Sequence, residues 1–326
     1  MRDEYVDFQQ IYEEYRPRLE QVEEILKERA RSNQAELTSA GEQLLEAGGK
    51  RIRPLFALIC GMVGDNASDD VAKIAAALEM THMATLVHDD VIDQAALRRG
   101  RPTVRSAFGN LAAMYTGDYL FARAIQLLAE VDNKEVHQAM AHGIVKMCQG
   151  EIEQIQDFYN WSQGYKTYLR RIQRKTALLI ALSCGLGALV GGGREHEVHA
   201  LRRFGYYTGM AFQVIDDVLD FTGSAEVVGK PVGGDLRQGN ITLPALLALR
   251  NPVLARRLQE LVHPGMSVTD ATEAIDLIVG SGALDEARRV ADWYIAKALS
   301  ILQAVSRRSV RQQLTTLTLF LADRTF

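Results

Sequence analysis

Glu79-Met80-Thr81-His82-Met83-Ala84-Thr85-Leu86-Val87-His88-Asp89-Asp90-Val91-Ile92-Asp93 carries an apolar run into three carboxylates. Upstream of it Val71, Ile74, Ala75, Leu78 and Met83 keep helical spacing, so the run predicts a helix whose last turn is acidic. At about 100° per residue, Asp89, Asp90 and Asp93 fall within roughly 100° of one face. Carboxylates this close repel and raise one another's pKa unless cations neutralise them.

The same spacing returns at Asp216, Asp217 and Asp220, again closing an apolar stretch, Tyr207 to Leu219. One such cluster also reads as a solvated helix end with capping carboxylates. Two, each after an apolar helix, point to a hard divalent cation, so all six aspartates are candidate ligands. Mg²⁺ is the natural choice, because it keeps coordination positions that diphosphate oxygens and water fill.

Two basic segments accompany them. Gly48-Gly49-Lys50-Arg51-Ile52-Arg53-Pro54 sets three cations after a glycine turn at a helix start, where free N–H groups and the helix dipole favour anions. Leu97-Arg98-Arg99-Gly100-Arg101-Pro102 repeats the theme four residues after Asp93, and a guanidinium binds two phosphate oxygens at once. Either segment alone also reads as a solvated basic turn.

Helical spacing runs through nearly every window and β-branched alternation is almost absent, which predicts an all-α chain of ten or more helices. Breaks are expected at 47–49, 64–66, 100–102, 131–133, 191–193, 233–234 and 264–265. No composition shift divides the 326 residues, so a single domain, 1–326, is expected although length alone suggests two. The connection 223–240 is rich in Gly and charge, and long loops in compact domains are usually functional.

With 37 Lys and Arg against 41 Asp and Glu, the net charge of −4 argues against a nucleic-acid footprint. Cys60, Cys148 and Cys184 lie in apolar stretches and lack CxxC spacing, which predicts buried thiols and a reducing compartment. Met1 to Glu14 is acidic without a signal-peptide core, and no run of 18 apolar residues occurs, so neither secretion nor membrane spanning is expected.

Three rival readings fail on spacing. Glu79-x-x-His82 matches half of a ferritin-like di-iron site, but no second copy occurs. His196-Glu197-Val198-His199 lacks the spacing of a zinc protease, and Gly229-Lys230-Pro231 lacks that of a nucleotide P-loop. His82 lies about two turns before Asp89 and shares its face, within reach of a bound diphosphate.

The ordered set GGKRIRP (48–54), EMTHMATLVHDDVID (79–93), LRRGRPT (97–103), GDYLFARA (117–124), RKTALL (174–179), FQVIDDVLDFTG (212–223) and GKPVGGDLRQGNITLP (229–244) resembles the trans-isoprenyl diphosphate synthase family, and within it the heptaprenyl component II subgroup. The resemblance implies a bundle of long helices around a deep central cavity. It implies three Mg²⁺ held by Asp89, Asp93 and Asp216 on an allylic diphosphate that Arg98 and Lys230 also bind. Isopentenyl diphosphate would sit on Lys50, Arg53, His82 and Arg99. Lys175, Thr176 and Gln213 become catalytic, the last two facing a carbocation.

The same resemblance implies a long-chain product, C35, for quinone side chains such as that of menaquinone, with a C20 product or a non-catalytic partner subunit as alternatives. A terpene cyclase would carry an Asn/Ser/Glu triad where Asp216, Asp217 and Asp220 stand. Ala84 and Thr85 lie roughly 6 to 7.5 Å below Asp89. Short-chain relatives place an aromatic ring at that level, so an open passage toward Thr81 is expected. Either a homodimer or a heterodimer with a small component I follows, in a cytoplasmic enzyme that releases product at the membrane surface. Asn240 stands where many relatives carry Lys.

Overall fold

Leu55 to Cys60 are all but excluded from solvent, and so is the apolar face that Val71 to Met83 present. Each such Leu, Ile or Phe contributes about 1.5–3 kcal/mol by leaving water. The computed structural model describes residues 7–65, 68–222 and 232–323. Over them the chain forms α1 (Phe8–Ala30), α2 (Ala35–Glu46), α3 (Ile52–Gly61), α4 (Asp70–Ile92), the two-residue strands β1 (Leu97–Arg98) and β2 (Arg101–Pro102), α5 (Val104–Phe108), α6 (Asn110–Ala129) and α7 (Lys134–Gln156).

There follow α8 (Tyr165–Ile172), a π-helical segment (Gln173–Ala177), α9 (Leu178–Val190), α10 (Glu195–Thr222), α11 (Gly234–Arg237), α12 (Leu243–Ala248), α13 (Pro252–Leu261), α14 (Val268–Gly280), α15 (Ala283–Ile301), a 3₁₀ turn (Leu302–Ala304) and α16 (Arg308–Ala322). The expected breaks at 47–49, 131–133, 191–193 and 264–265 fall between elements, whereas 100–102 runs into β2 and 233–234 into the start of α11. The β1–β2 hairpin pairs Leu97 with Pro102 and Arg98 with Arg101.

By contacts the chain divides into two compact units, each assembled from three separate segments: 1–142, 179–205 and 301–317, and 143–178, 206–300 and 318–326. In the first, α3 and α4 pack on α1, and α4 lies along α6. There a side chain at Gly187 would strike the backbone of Ala57, so glycine permits the close approach of α9 to α3. The core of the second gathers Tyr168, Met210, Val214, Phe221, Leu236, Leu258 and Ala291.

One expectation changes here. Cys60 and Cys184 are buried, but Cys148 is exposed. On α7 Met147 takes the buried position, and a turn of about 100° places Cys148 with exposed Val145 and Ile152. Residues 165–190, although interrupted by charge, are long and apolar enough to pass as a membrane span, yet 72% of the window is buried within the protein. That is where a core helix puts its apolar side chains.

Candidate active site

In the first unit, Asp89 and Asp90 occupy the last turn of α4 and Asp93 caps its C-terminus. Carboxylates at a helix C-terminus oppose the dipole, which favours anions only at the other end. These are therefore not capping carboxylates, and a cation would relieve them. Asp89 and Asp93 are half-buried. Asp90, one position round, is 1% exposed and accepts from Arg98 Nε at 2.9 Å and Nη2 at 2.8 Å.

The hairpin after α4 turns through Arg99 (φ 51°) and Gly100 (φ 74°), the two positive-φ positions of a tight two-residue turn. Arg99 Nη1 donates to the Gly48 carbonyl, so the hairpin meets the glycine turn before α3. The two cationic segments, read separately in the sequence, are one surface. Lys50 and Arg99 are exposed and Arg53 is half-buried there.

Arg51 behaves differently. As the residue preceding α3 it is left-handed (φ 47°, ψ 40°), a conformation costing a non-glycine residue about 1–3 kcal/mol. Its side chain turns inward. Nε and Nη2 donate to the two oxygens of Glu23, the latter at 3.3 Å, and Nη1 donates to Glu79 Oε1 at 3.2 Å.

His82 is half-buried on α4. Desolvation, then Arg53, Arg99, Arg98 and Arg51, hold its pKa well below the usual histidine range, so it meets an anion as a neutral hydrogen-bond donor. Thr81 and Ala84 are fully buried, and Thr85 is half-buried with its hydroxyl donating to the His82 carbonyl at 2.7 Å.

In the second unit, Asp216, Asp217 and Asp220 lie in the last two turns of α10, again at a C-terminal end. Asp217 is 2% exposed, with Tyr168 Oη donating to Oδ2 at 2.7 Å and Gln213 Nε2 to Oδ1 at 2.9 Å. Gln213 Oε1 in turn accepts from the Thr176 hydroxyl. Thr176 lies in the π-helical segment, and such irregularities often mark functional positions. Lys175 Nζ donates to Glu151 Oε2 at 3.3 Å.

Asp220 caps α11, accepting from the backbone N–H groups of Gly234 and Asp235 at 3.1 Å each. Burial, and then the Asp235 charge, push both Asp217 and Asp220 up to about 7, against their hydrogen bonds. Carboxylates that hold protons near neutrality mark an excess of negative charge at this end of α10, which a divalent cation on the neighbouring Asp216 would offset. Among the described residues no three His, Cys, Asp or Glu side chains form a ready-made metal cage. Mg²⁺ needs none, since one or two carboxylates plus phosphate oxygens suffice.

Of the sequence-predicted residues, Lys50, Arg53, His82, Asp89, Asp90, Asp93, Arg98 and Arg99 belong to the first unit, as do Thr81, Ala84 and Thr85. Lys175, Thr176, Gln213, Asp216, Asp217 and Asp220 belong to the second. Lys230 lies outside the described residues. Asn240 is half-buried with Oδ1 lacking a partner. Sequence reasoning assigned nothing to Glu79, Tyr168 or Asp235. Asp235 carried a signal in its place in the Gly-rich connection, and Glu79 in its spacing from His82, which was weighed only as half of a di-iron site.

The model of the polyprenyl synthetase family matches residues 34–278. The chain belongs to that family. The heptaprenyl diphosphate synthase component 2 of Bacillus subtilis (strain 168) is 45% identical over 319 residues, covering 98% of this chain and 91% of that protein. The structure of heptaprenyl diphosphate synthase from Staphylococcus aureus matches with TM-score 0.92 at 38% identity, covering 95% and 98%. A polyprenyl synthase from Caulobacter crescentus CB15, complexed with calcium and isoprenyl diphosphate, matches with TM-score 0.93 at 33% identity, covering 98% and 99%. This polyprenyl synthase is an enzyme, a long-chain trans-prenyltransferase, and its fold is the all-α isoprenoid synthase fold.

Proposed function

We propose that this chain adds isopentenyl diphosphate repeatedly to an allylic diphosphate in a Mg²⁺-dependent reaction ending at C35, the length of a heptaprenyl quinone side chain. One observation carries the reading. Two aspartate triplets end helices at the pole the dipole makes hostile to anions, and the first adjoins a cationic surface of Lys50, Arg53, Arg98 and Arg99. A metal-bound diphosphate, cation and anion together, satisfies both.

Asp89 and Asp93, and likewise Asp216, would hold Mg²⁺, which when bound supplies positive charge against the departing diphosphate oxygens. Asp90 and Asp217 face inward and position. Asp90 fixes the Nε/Nη2 edge of Arg98, which orients that guanidinium for the allylic diphosphate. Lys50, Arg53, Arg99 and neutral His82 bind isopentenyl diphosphate. Thr176 and Gln213 present oxygens to the allylic cation, and the released diphosphate takes the final proton, so no side-chain base is required.

A small partner subunit belongs to the proposal. The Bacillus subtilis relative is named as component 2. Here α6 leaves Leu111, Tyr115 and Ile125 exposed, and α7 leaves Val145, Ile152 and Ile155 exposed, apolar stripes of the sort partners cover. Action as one functional domain, at the cytoplasmic face of a membrane that takes up the product, completes the reading.

The test is incubation of the chain with Mg²⁺, labelled isopentenyl diphosphate and primers of several lengths, with and without a component I protein, followed by product sizing. C35 product only with the partner is expected. Products of C20 or shorter, or full activity alone, would replace the chain-length and partner assignments respectively.

A further inference from the structure

The glycine turn holds three cations, but only two can meet a ligand. Lys50 is exposed and Arg53 half-buried, whereas the Arg51 side chain is 6% exposed with Nε, Nη1 and Nη2 all committed to Glu23 and Glu79. A phosphate has no access to it. Yet this is the residue held left-handed, and left-handed strain at a non-glycine residue persists only where the surroundings over-determine it.

What over-determines it is the pair of carboxylates Glu23 and Glu79, and of the two only Glu79 stands on α4. This carboxylate is 5% exposed, and its Oε2 is buried without a partner, so the residue is not placed there for its own hydrogen bonding. It lies three residues before His82 on the same face of α4. The tie from Glu79 to Arg51 therefore joins the turn carrying Lys50 and Arg53 to the helix carrying His82. Glu79 is also the carboxylate whose charge supports Arg99, against desolvation and the neighbouring Arg98 and Arg51. A side chain added at Gly49 would press on the guanidiniums of both Arg99 and Arg51, so the turn, the hairpin and the buried pair are in contact.

We propose that Arg51 and Glu79 are a buried positioning pair that sets Lys50 and Arg53 in register with His82, and so governs the affinity for isopentenyl diphosphate but not for the allylic diphosphate. This deepens the function proposed above and rests on it.

Calorimetric titration of the full chain with isopentenyl diphosphate, and separately with an allylic diphosphate plus Mg²⁺, tests it without requiring turnover. Glu79→Gln and Arg51→Gly each weaken isopentenyl diphosphate binding by about tenfold or more, while allylic binding stays within about twofold. Glycine matters because it adopts the left-handed backbone freely, so a loss there assigns the effect to the guanidinium. Glu79→Asp, which keeps the charge, recovers most of the affinity. Equal weakening of both ligands in step with a lower melting temperature would mark a merely structural pair and overturn the inference. So would unchanged affinity in both variants. A wild-type chain that binds isopentenyl diphosphate normally in those cases leaves the proposed function standing; one that binds neither diphosphate removes the function and this inference together.

Discussion

The two aspartate triplets share one spacing, and the protein buries the middle carboxylate of each by opposite means. At α4, Asp90 is neutralised by an arginine eight residues on, in the same unit and the adjacent hairpin. At α10, Asp217 meets no cation at hydrogen-bond distance among the described residues; a tyrosine 49 residues away and Gln213 hold it, and burial lifts its pKa to about 7. One motif is thus balanced by a fixed charge. The other is balanced by a bound proton and two neutral donors.

The largest expected effect tests what the triplets share. Asp89→Asn and Asp216→Asn each remove an outward carboxylate and should lower turnover by roughly three orders of magnitude or more, the scale of losing charge stabilisation in an ionising transition state. Steady-state assays with labelled isopentenyl diphosphate check this, with circular dichroism confirming the fold. If only one variant lost activity, the triplets would not be equivalent in function.

The second prediction tests how they differ. Asp217 and Asp220 carry folded-state values near 7 against an ordinary value of 3.8, so the folded chain holds protons that the unfolded chain has released. Stability of the metal-free protein is therefore highest below that window and falls as pH rises through it. Thermal melts from pH 4 to 8 should show this decline, and Asp217→Asn should flatten it. Asp90→Asn should leave the slope and destabilise the chain throughout, by less than the about 3–5 kcal/mol of a fully buried pair because Arg98 is partly exposed, which the melts read as a lower melting temperature. Equal slopes in wild type and Asp217→Asn would erase the contrast.

The smallest effect concerns the wall beneath the first triplet. Ala84 is fully buried and Thr85 half-buried on α4. If the growing tail passes them, Ala84→Phe or Thr85→Phe shortens the product to C15 or C20 with activity retained. If they only let helices pack, the ring strains the interface by about 1–3 kcal/mol and leaves product length unchanged.

Much of this was legible in the sequence. Helical spacing predicted the all-α fold, and the glycine clusters located the helix ends, because both signals are local. The outward aspartates were readable from spacing, but the fate of Asp90 and Asp217 was not, since Arg98 and Tyr168 reach them through the fold. Arg51 was grouped with Lys50 and Arg53 on composition; only the left-handed backbone shows that it points the other way. Cys148 failed for the reverse reason, an apolar neighbourhood whose helix face happens to be exposed.

The division between outward and inward carboxylates is the central claim, and anomalous diffraction tests it directly. Crystals grown with Mn²⁺ and an unreactive thio-analogue of an allylic diphosphate should show ions on Asp89, Asp93 and Asp216, with Asp90 still on Arg98 and Asp217 still on Tyr168. Ions on Asp90 or Asp217, with those hydrogen bonds broken, would contradict it.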